Sequence, residues 1–212
     1  MADELLGFDH RFVPAEGDDS ITLLLLHGTG GDEDALLPLG RMLDERAAFL
    51  SPRGKILENG APRFFRRHAE GVFDHEDLVY RTHELAEFVE AGISEYDLDP
   101  GRVFAVGFSN GANIAASLLL LHPGLLAGAM LLRAMVPFEP ETTADLSETP
   151  VYLAAGRSDQ IVPPESSERL AELLREAGAE VTLDWQPGGH SINRAEIEDA
   201  RAWLAWAIPG MR

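Results

Sequence analysis

Val103-Phe104-Ala105-Val106-Gly107-Phe108-Ser109-Asn110-Gly111-Ala112-Asn113 runs from an unbroken apolar stretch, through two glycines that bracket a serine, into small residues at helical spacing. An apolar run of strand length with no polar alternation belongs in a parallel sheet covered on both faces. Gly111, Ala112, Ala115 and Ala116 then let a helix over about Asn110–His122 lie close to that sheet until Pro123 stops it. Gly107-Phe108-Ser109-Asn110-Gly111 is therefore a tight strand-to-helix turn, and it lifts Ser109 off the end of a buried strand as a candidate nucleophile. The flanking glycines permit strained backbone and remove side chains where strand and helix meet. By itself the G-x-S-x-G pattern also fits an ordinary glycine turn with a surface serine.

Outward from this turn, short apolar runs alternate with longer amphipathic ones. Further strands are expected at Ile21–Leu26, Ala47–Ser51, Gly128–Leu132, Val151–Ala155 and Val181–Trp185, with Arg11–Val13 as an added edge strand. Helices are expected over about Asp34–Glu45, Asp74–Gly92, from Pro163-Pro164 to Gly178, and from Asn193 onward, where Asn193 and Glu196 form a capping-box pair. Such alternation specifies an α/β fold with a mostly parallel central sheet and helices on both faces. No repeat or linker interrupts it, so residues 1–212 read as one domain. Pro52–Phe73 and Arg133–Pro150 fall outside the alternation. Both follow strands and should emerge at the carboxyl edge of the sheet, where ligands of open α/β sheets bind.

The 212 residues, 45% hydrophobic and 25% charged, suffice for a substantial core. No apolar run approaches the roughly 18 residues a membrane span needs, and the opening Met1-Ala2-Asp3-Glu4-Leu5 is acidic where a secretory signal is basic. The expected address is cytoplasmic. Without cysteine there is no disulfide, thiolate metal site or thiol nucleophile. A net charge of −19 argues against nucleic acid as a partner. Cations nevertheless concentrate in one place: Arg46, Arg53, Lys55, Arg63, Arg66 and Arg67 stand against the single acid Glu58.

Serine becomes a nucleophile when a base takes its proton and a third group orients the base. In this architecture the order is Ser, acid, His. Asp159 follows the Val151–Ala155 strand and fits the acid. Asp184 lies within a strand, and Asp145 within a surface loop is the weaker competitor. His190, in Gly188-Gly189-His190-Ser191 after the last strand, fits the base. His122 ends a helix, His68, His75 and His83 have polar surroundings, and His10 is near the terminus. Acyl transfer also needs oxyanion donors. Leu23-Leu24-Leu25-Leu26-His27-Gly28-Thr29-Gly30-Gly31 ends a strand in a glycine-rich turn, so the N–H groups of Thr29 and Asn110 are the expected pair, with His27 shaping the turn. The phosphate-binding alternatives lack their motifs, G-x-x-x-x-G-K-[ST] and G-x-G-x-x-G.

With these residues placed, the sequence resembles the α/β-hydrolase superfamily, and within it the bacterial carboxylesterase/phospholipase group related to acyl-protein thioesterases. The matching pieces are L-L-L-L-H-G-T-G-G-D-E, D-P-G-R-V-F-A-V-G-F-S-N-G-A-N, G-R-S-D-Q-I-V-P and P-G-G-H, in the family's order. The resemblance implies a serine esterase with Ser109, Asp159 and His190 as triad, acting on small-molecule esters without metal or organic cofactor, and a possible homodimer. Thioesterase-like relatives often carry Gln after the nucleophile, where this chain has Asn110. The stretch from Arg53 to Arg67 resembles that of bacterial hydrolases associated with aromatic or quinone stress.

Phe64 and Phe65, with the 133–150 loop, could form an apolar substrate pocket or simply be core. Arg63, with Arg53, Arg66 and Arg67, could attract an anionic substrate or form salt bridges to an acidic surface. The same site also suits acyl transfer to an alcohol or amine, or dienelactone-type lactone opening. A catalytically silent binding module is the remaining alternative.

Overall fold

The computed structural model describes residues 3–17 and 20–208. Its centre is an eight-stranded sheet built from β1 (Asp3–Leu5), β2 (Phe8–Val13), β3 (Thr22–Leu26), β4 (Ala48–Pro52), β9 (Val103–Phe108), β10 (Gly128–Leu132), β11 (Pro150–Gly156) and β12 (Glu180–Gln186). In space the order is β1-β2-β4-β3-β9-β10-β11-β12. The strands from β4 to β12 in that order pair in parallel, while β2 runs antiparallel to both its neighbours. Arg11–Val13 is thus the end of a longer strand, and the edge position belongs to β1, too short and polar to announce itself.

The central strands show why their sequences carry no polar alternation. Leu24 and Leu26 of β3, with Val103 and Ala105 of β9, pack on one face of the sheet against α2 (His75–Glu95), α3 (Asn110–Leu121) and α4 (Pro164–Glu176). Leu23, Leu25, Phe104 and Val106 point the other way, into α1 (Leu37–Leu43) and α5 (Arg194–Ala207). Successive residues face opposite layers, so every position is apolar. Helix starts follow their caps. The Asp74 side chain accepts from the Asp77 N–H at 3.1 Å, Pro164 opens α4, and Asn193 and Glu196 close a reciprocal capping box.

Pro52–Phe73, expected as irregular, contains two small hairpins: β5 (Ile56–Glu58) with β6 (Ala61–Arg63), and β7 (Arg67–Ala69) with β8 (Val72–Phe73). His10 is likewise no bland terminal residue. It is fully buried, its Nε2 2.6 Å from the Tyr96 hydroxyl. Among the described residues no helix is long and apolar enough to cross a membrane.

Candidate active site

The chain crosses the carboxyl edge of the parallel sheet after each of its strands, and the chemistry-bearing residues collect there. Ser109 follows β9 directly. Its N–H extends the sheet pairing to Leu132 O at 2.9 Å, and its backbone then turns sharply at φ +52°. For a residue with a side chain that conformation costs about 1–3 kcal/mol, and the packing around it holds it there. The cause is close contact between α3 and the sheet: a Cβ on Gly111 would lie 1.9 Å from Leu26 O, and one on Gly107 2.5 Å from Gly111 O. Only glycine lets the helix start so near the strands.

Ser109 caps α3 without using its side chain, which leaves Oγ for His190 Nε2 at 2.8 Å. The other ring nitrogen, Nδ1, lies 2.8 Å from Asp159 Oδ2. Asp159 follows β11 and His190 follows β12. Their loops are joined by Arg157 N–H to Gln186 O at 2.8 Å and Ser158 N–H to Gly188 O at 3.1 Å. The remaining oxygen of Asp159 accepts from the N–H groups of Ile161 and Val162 at 2.8 and 3.0 Å. Burial alone would raise the Asp159 carboxyl. The N–H groups of Val162 and Ile161 and the His190 ring outweigh it and hold the acid below the usual range. The competing acids are elsewhere engaged. Asp184 receives the Tyr152 hydroxyl and the Gln186 amide, and Asp145 caps a turn at Ser147.

Asn110 opens α3, so its N–H is one of those a helix leaves without an internal acceptor. Thr29 stands in the turn after β3, whose shape is fixed by Gly30 N–H to Pro62 O at 2.9 Å and Gly31 N–H to Gly28 O at 3.0 Å. His27 braces this turn, with Nδ1 2.7 Å from Gly28 O and Nε2 accepting from Gly54 N–H at 2.9 Å. Burial lowers its pKa, in keeping with the neutral ring that this pairing needs.

Thr29, Asn110, Ser109 and His190 border a narrow cleft with Arg63, Arg67, Glu70, Asn113 and Arg133. Its apolar wall is Phe73, Met135, Ile161 and Val162. Phe64 and Phe65 are not in it. Both are buried in the hydrophobic core beneath the loop, and the Phe64 N–H donates to Asn110 Oδ1 at 2.7 Å. Their expected place as substrate contacts is therefore corrected: the loop folds them inward, where aromatic area is best used. Of the basic cluster, Arg53 binds Glu33, Arg66 binds Asp74 and Asp77, and Arg67 binds Glu58 and Glu70. Arg63 alone is both buried and at the cleft. Burial, with Arg67 beside it, pulls its guanidinium below the ordinary value against the pull of Glu58 and Glu70.

Sequence reasoning missed Arg133. This fully buried residue follows β10 at φ +61° and donates to carbonyls on both sides of His190: Gly189 O at 2.7 Å and Ser191 O at 2.8 Å. Ala154 O and both oxygens of Glu196 complete its hydrogen bonds, at 3.2, 2.6 and 2.8 Å. The only sequence signal was an arginine directly after a wholly apolar strand. The Asn113 side chain, also missed, accepts from Met135 N–H at 2.8 Å and secures the cleft wall.

A serine, an imidazole and a carboxylate thus stand in one hydrogen-bonded line at the edge of this sheet. The family profile described as phospholipase/carboxylesterase matches residues 10–208. The chain belongs to the phospholipase/carboxylesterase family. Within the family it is 48% identical over 198 residues to the putative hydrolase MhqD of Bacillus subtilis, covering 93% of this chain and 99% of that one. It superposes on the crystal structure of the Bacillus cereus carboxylesterase with a TM-score of 0.93 at 47% identity, covering 95% of each. Acyl-protein thioesterase 1 of Emericella nidulans is 28% identical over 229 residues, covering 93% of this chain and 94% of that one. The α/β-hydrolase fold and ester-hydrolase family expected from the sequence are thereby met.

Proposed function

We propose that this protein hydrolyses carboxylic esters, and thioesters of similar size, through an acyl-serine intermediate on Ser109. The observation that carries the reading is the pair of 2.8 Å hydrogen bonds linking Ser109 Oγ to His190 and His190 to Asp159. His190 Nε2 takes the Ser109 proton as Oγ bonds to the substrate carbonyl carbon. The carbonyl oxygen, now negative, is met by the Thr29 and Asn110 N–H groups. Collapse breaks the bond to the leaving alcohol or thiol, which receives the proton from His190. Water then enters. His190 takes one of its protons as its oxygen bonds to the acyl carbon; the bond from that carbon to Oγ then breaks, Oγ receives the proton back from His190, and the acid leaves. Asp159 fixes the tautomer that makes Nε2 the base and stabilises the imidazolium between steps.

The narrow cleft, walled by Phe73, Met135, Ile161 and Val162, favours short acyl groups. A panel of p-nitrophenyl esters and acyl thioesters of increasing chain length tests this. Turnover should be highest for the shorter chains, with kcat lowered at least about a thousandfold in Ser109→Ala. A fluorophosphonate should modify Ser109 alone, read by mass spectrometry. Equal rates in wild type and Ser109→Ala would end the reading.

A further inference from the structure

We propose that Arg63 forms an anion subsite in the cleft and that the preferred substrates are esters or thioesters carrying a carboxylate. The proposal rests on the hydrolase reading above. Arg53, Arg66 and Arg67 are already occupied by carboxylates of the protein, in contacts of 2.6 to 3.2 Å for Arg53–Glu33, Arg66–Asp74 and Arg67–Glu58. Arg63 is not. Its side chain is 3% exposed, yet it borders the same cleft as Ser109 and His190. Its Nε donates to Phe65 O at 3.2 Å and its Nη1 to Thr29 Oγ1 at 2.5 Å, both neutral acceptors. The carboxylate it approaches, Glu58, stays 3.8 Å away, beyond hydrogen-bond reach, and is held by Arg67 at 2.9 to 3.1 Å. A desolvated cation without a bonded counter-ion is costly, and a ligand carboxylate in the cleft offsets that cost.

The position is also built. The Phe64 N–H is fixed to Asn110 Oδ1 at 2.7 Å and Pro62 O to Gly30 N–H at 2.9 Å. Residues on both sides of Arg63 are therefore bonded to the two turns that carry the proposed oxyanion donors. Its guanidinium is held on the Thr29 hydroxyl in the same cleft as Ser109, with the planar fork that suits a carboxylate. Glu70 also borders the cleft, but Arg67 takes its charge. A protein of net charge −19 repels anionic esters at long range, so a local cation at the reacting centre is what their capture requires.

Shape-matched pairs test the idea. Monoethyl succinate against ethyl isocaproate places the charge on the acyl part; acetoxyacetate against isobutyl acetate places it on the alcohol part. With kcat/KM divided by each ester's alkaline hydrolysis rate, wild type should favour the anion of at least one pair by about tenfold or more. In Arg63→Gln that preference should fall at least about tenfold, and Arg63→Lys should restore part of it. Neutral esters turned over as well as anionic ones in both pairs would overturn the subsite and leave the hydrolase reading standing. So would Arg63→Gln lowering both members of a pair equally. No turnover of any member, with Ser109 unmodified by a fluorophosphonate, would overturn both. A measurement on wild type alone guards against a variant that fails to fold: succinate should slow fluorophosphonate labelling of Ser109 and succinamide should not. Equal protection by the two overturns the subsite.

Discussion

Asp159 and His27 are held away from their ordinary ionisation in ways that leave separate marks on stability. Against burial, backbone N–H groups and the His190 ring hold the folded Asp159 carboxyl below its ordinary, unfolded value of about 3.9. Its contribution is fully present above that unfolded value and is lost as pH falls through the lower folded one. His27 is also depressed, from 6.5, so protonation there opposes folding progressively as pH drops below about 6.5. Urea unfolding at stepped pH should therefore show Asp159→Asn flattening the acid limb below about pH 4, with His27→Gln flattening the slope between about pH 6.5 and the depressed histidine value. Unchanged slopes would refute both assignments. That Ser109, Asp159 and His190 would meet at one edge of the sheet was legible in the sequence, because each follows a recognisable strand. The fate of Phe64 and Phe65 was not, since an aromatic pair after a glycine-containing turn reads the same whether it lines a cleft or fills a core. Burial of both rings among core residues distant in sequence decides it.

At the scale of elements, two contacts hold the reacting groups together. The first is α3 against β3, where Gly111→Ala forces a methyl onto Leu26 O. Because the obstruction is backbone, the helix must move: stability should fall by about 1–3 kcal/mol or more in chemical denaturation, and activity with it. Gly101→Ala, whose Cβ would meet only the Asp99 side chain at 3.4 Å, should stay within about 0.5 kcal/mol of wild type. The second contact is Arg133 with Glu196, which ties the His190 loop to β10 and to the first turn of α5. Arg133→Met strands a buried carboxylate and should cost about 3–5 kcal/mol. Adding Glu196→Gln removes that charge and should recover much of the loss in thermal melting. Activity should not recover: kcat in the double variant should remain about a hundredfold down with KM little changed, because His190 is no longer aimed. A double variant with wild-type kcat would reduce Arg133 to packing. Helices and inner strands were readable from apolar spacing and caps. The hairpins of residues 56–73 were not, because strands of two or three residues are too short to show a period; nor was the arginine clasp, whose partners lie far along the chain.

Across the whole molecule, the parallel sheet could be inferred because its strands are apolar on both faces, a pattern that few other environments tolerate. The edge strand β1 escaped because an edge faces water and needs no such signature. Charge acts at this scale as well. With 36 acids against 17 lysines and arginines, self-repulsion opposes the compact state. Raising ionic strength from about 0.01 to 0.15 M shortens the Debye length from about 30 to 8 Å and should raise the melting temperature by a few degrees. A lower melting temperature in salt would mean that the surface ion pairs outweigh the net charge. The arginine clasp sets one further condition, on timing. The segment that neutralises Arg133 comes late in the chain, so a polypeptide emerging from the ribosome holds its serine and acid well before it can aim its base. On the proposed triad, the nascent protein should be silent towards esters until its last helix docks, and the onset of hydrolysis during synthesis would serve as a clock for that docking.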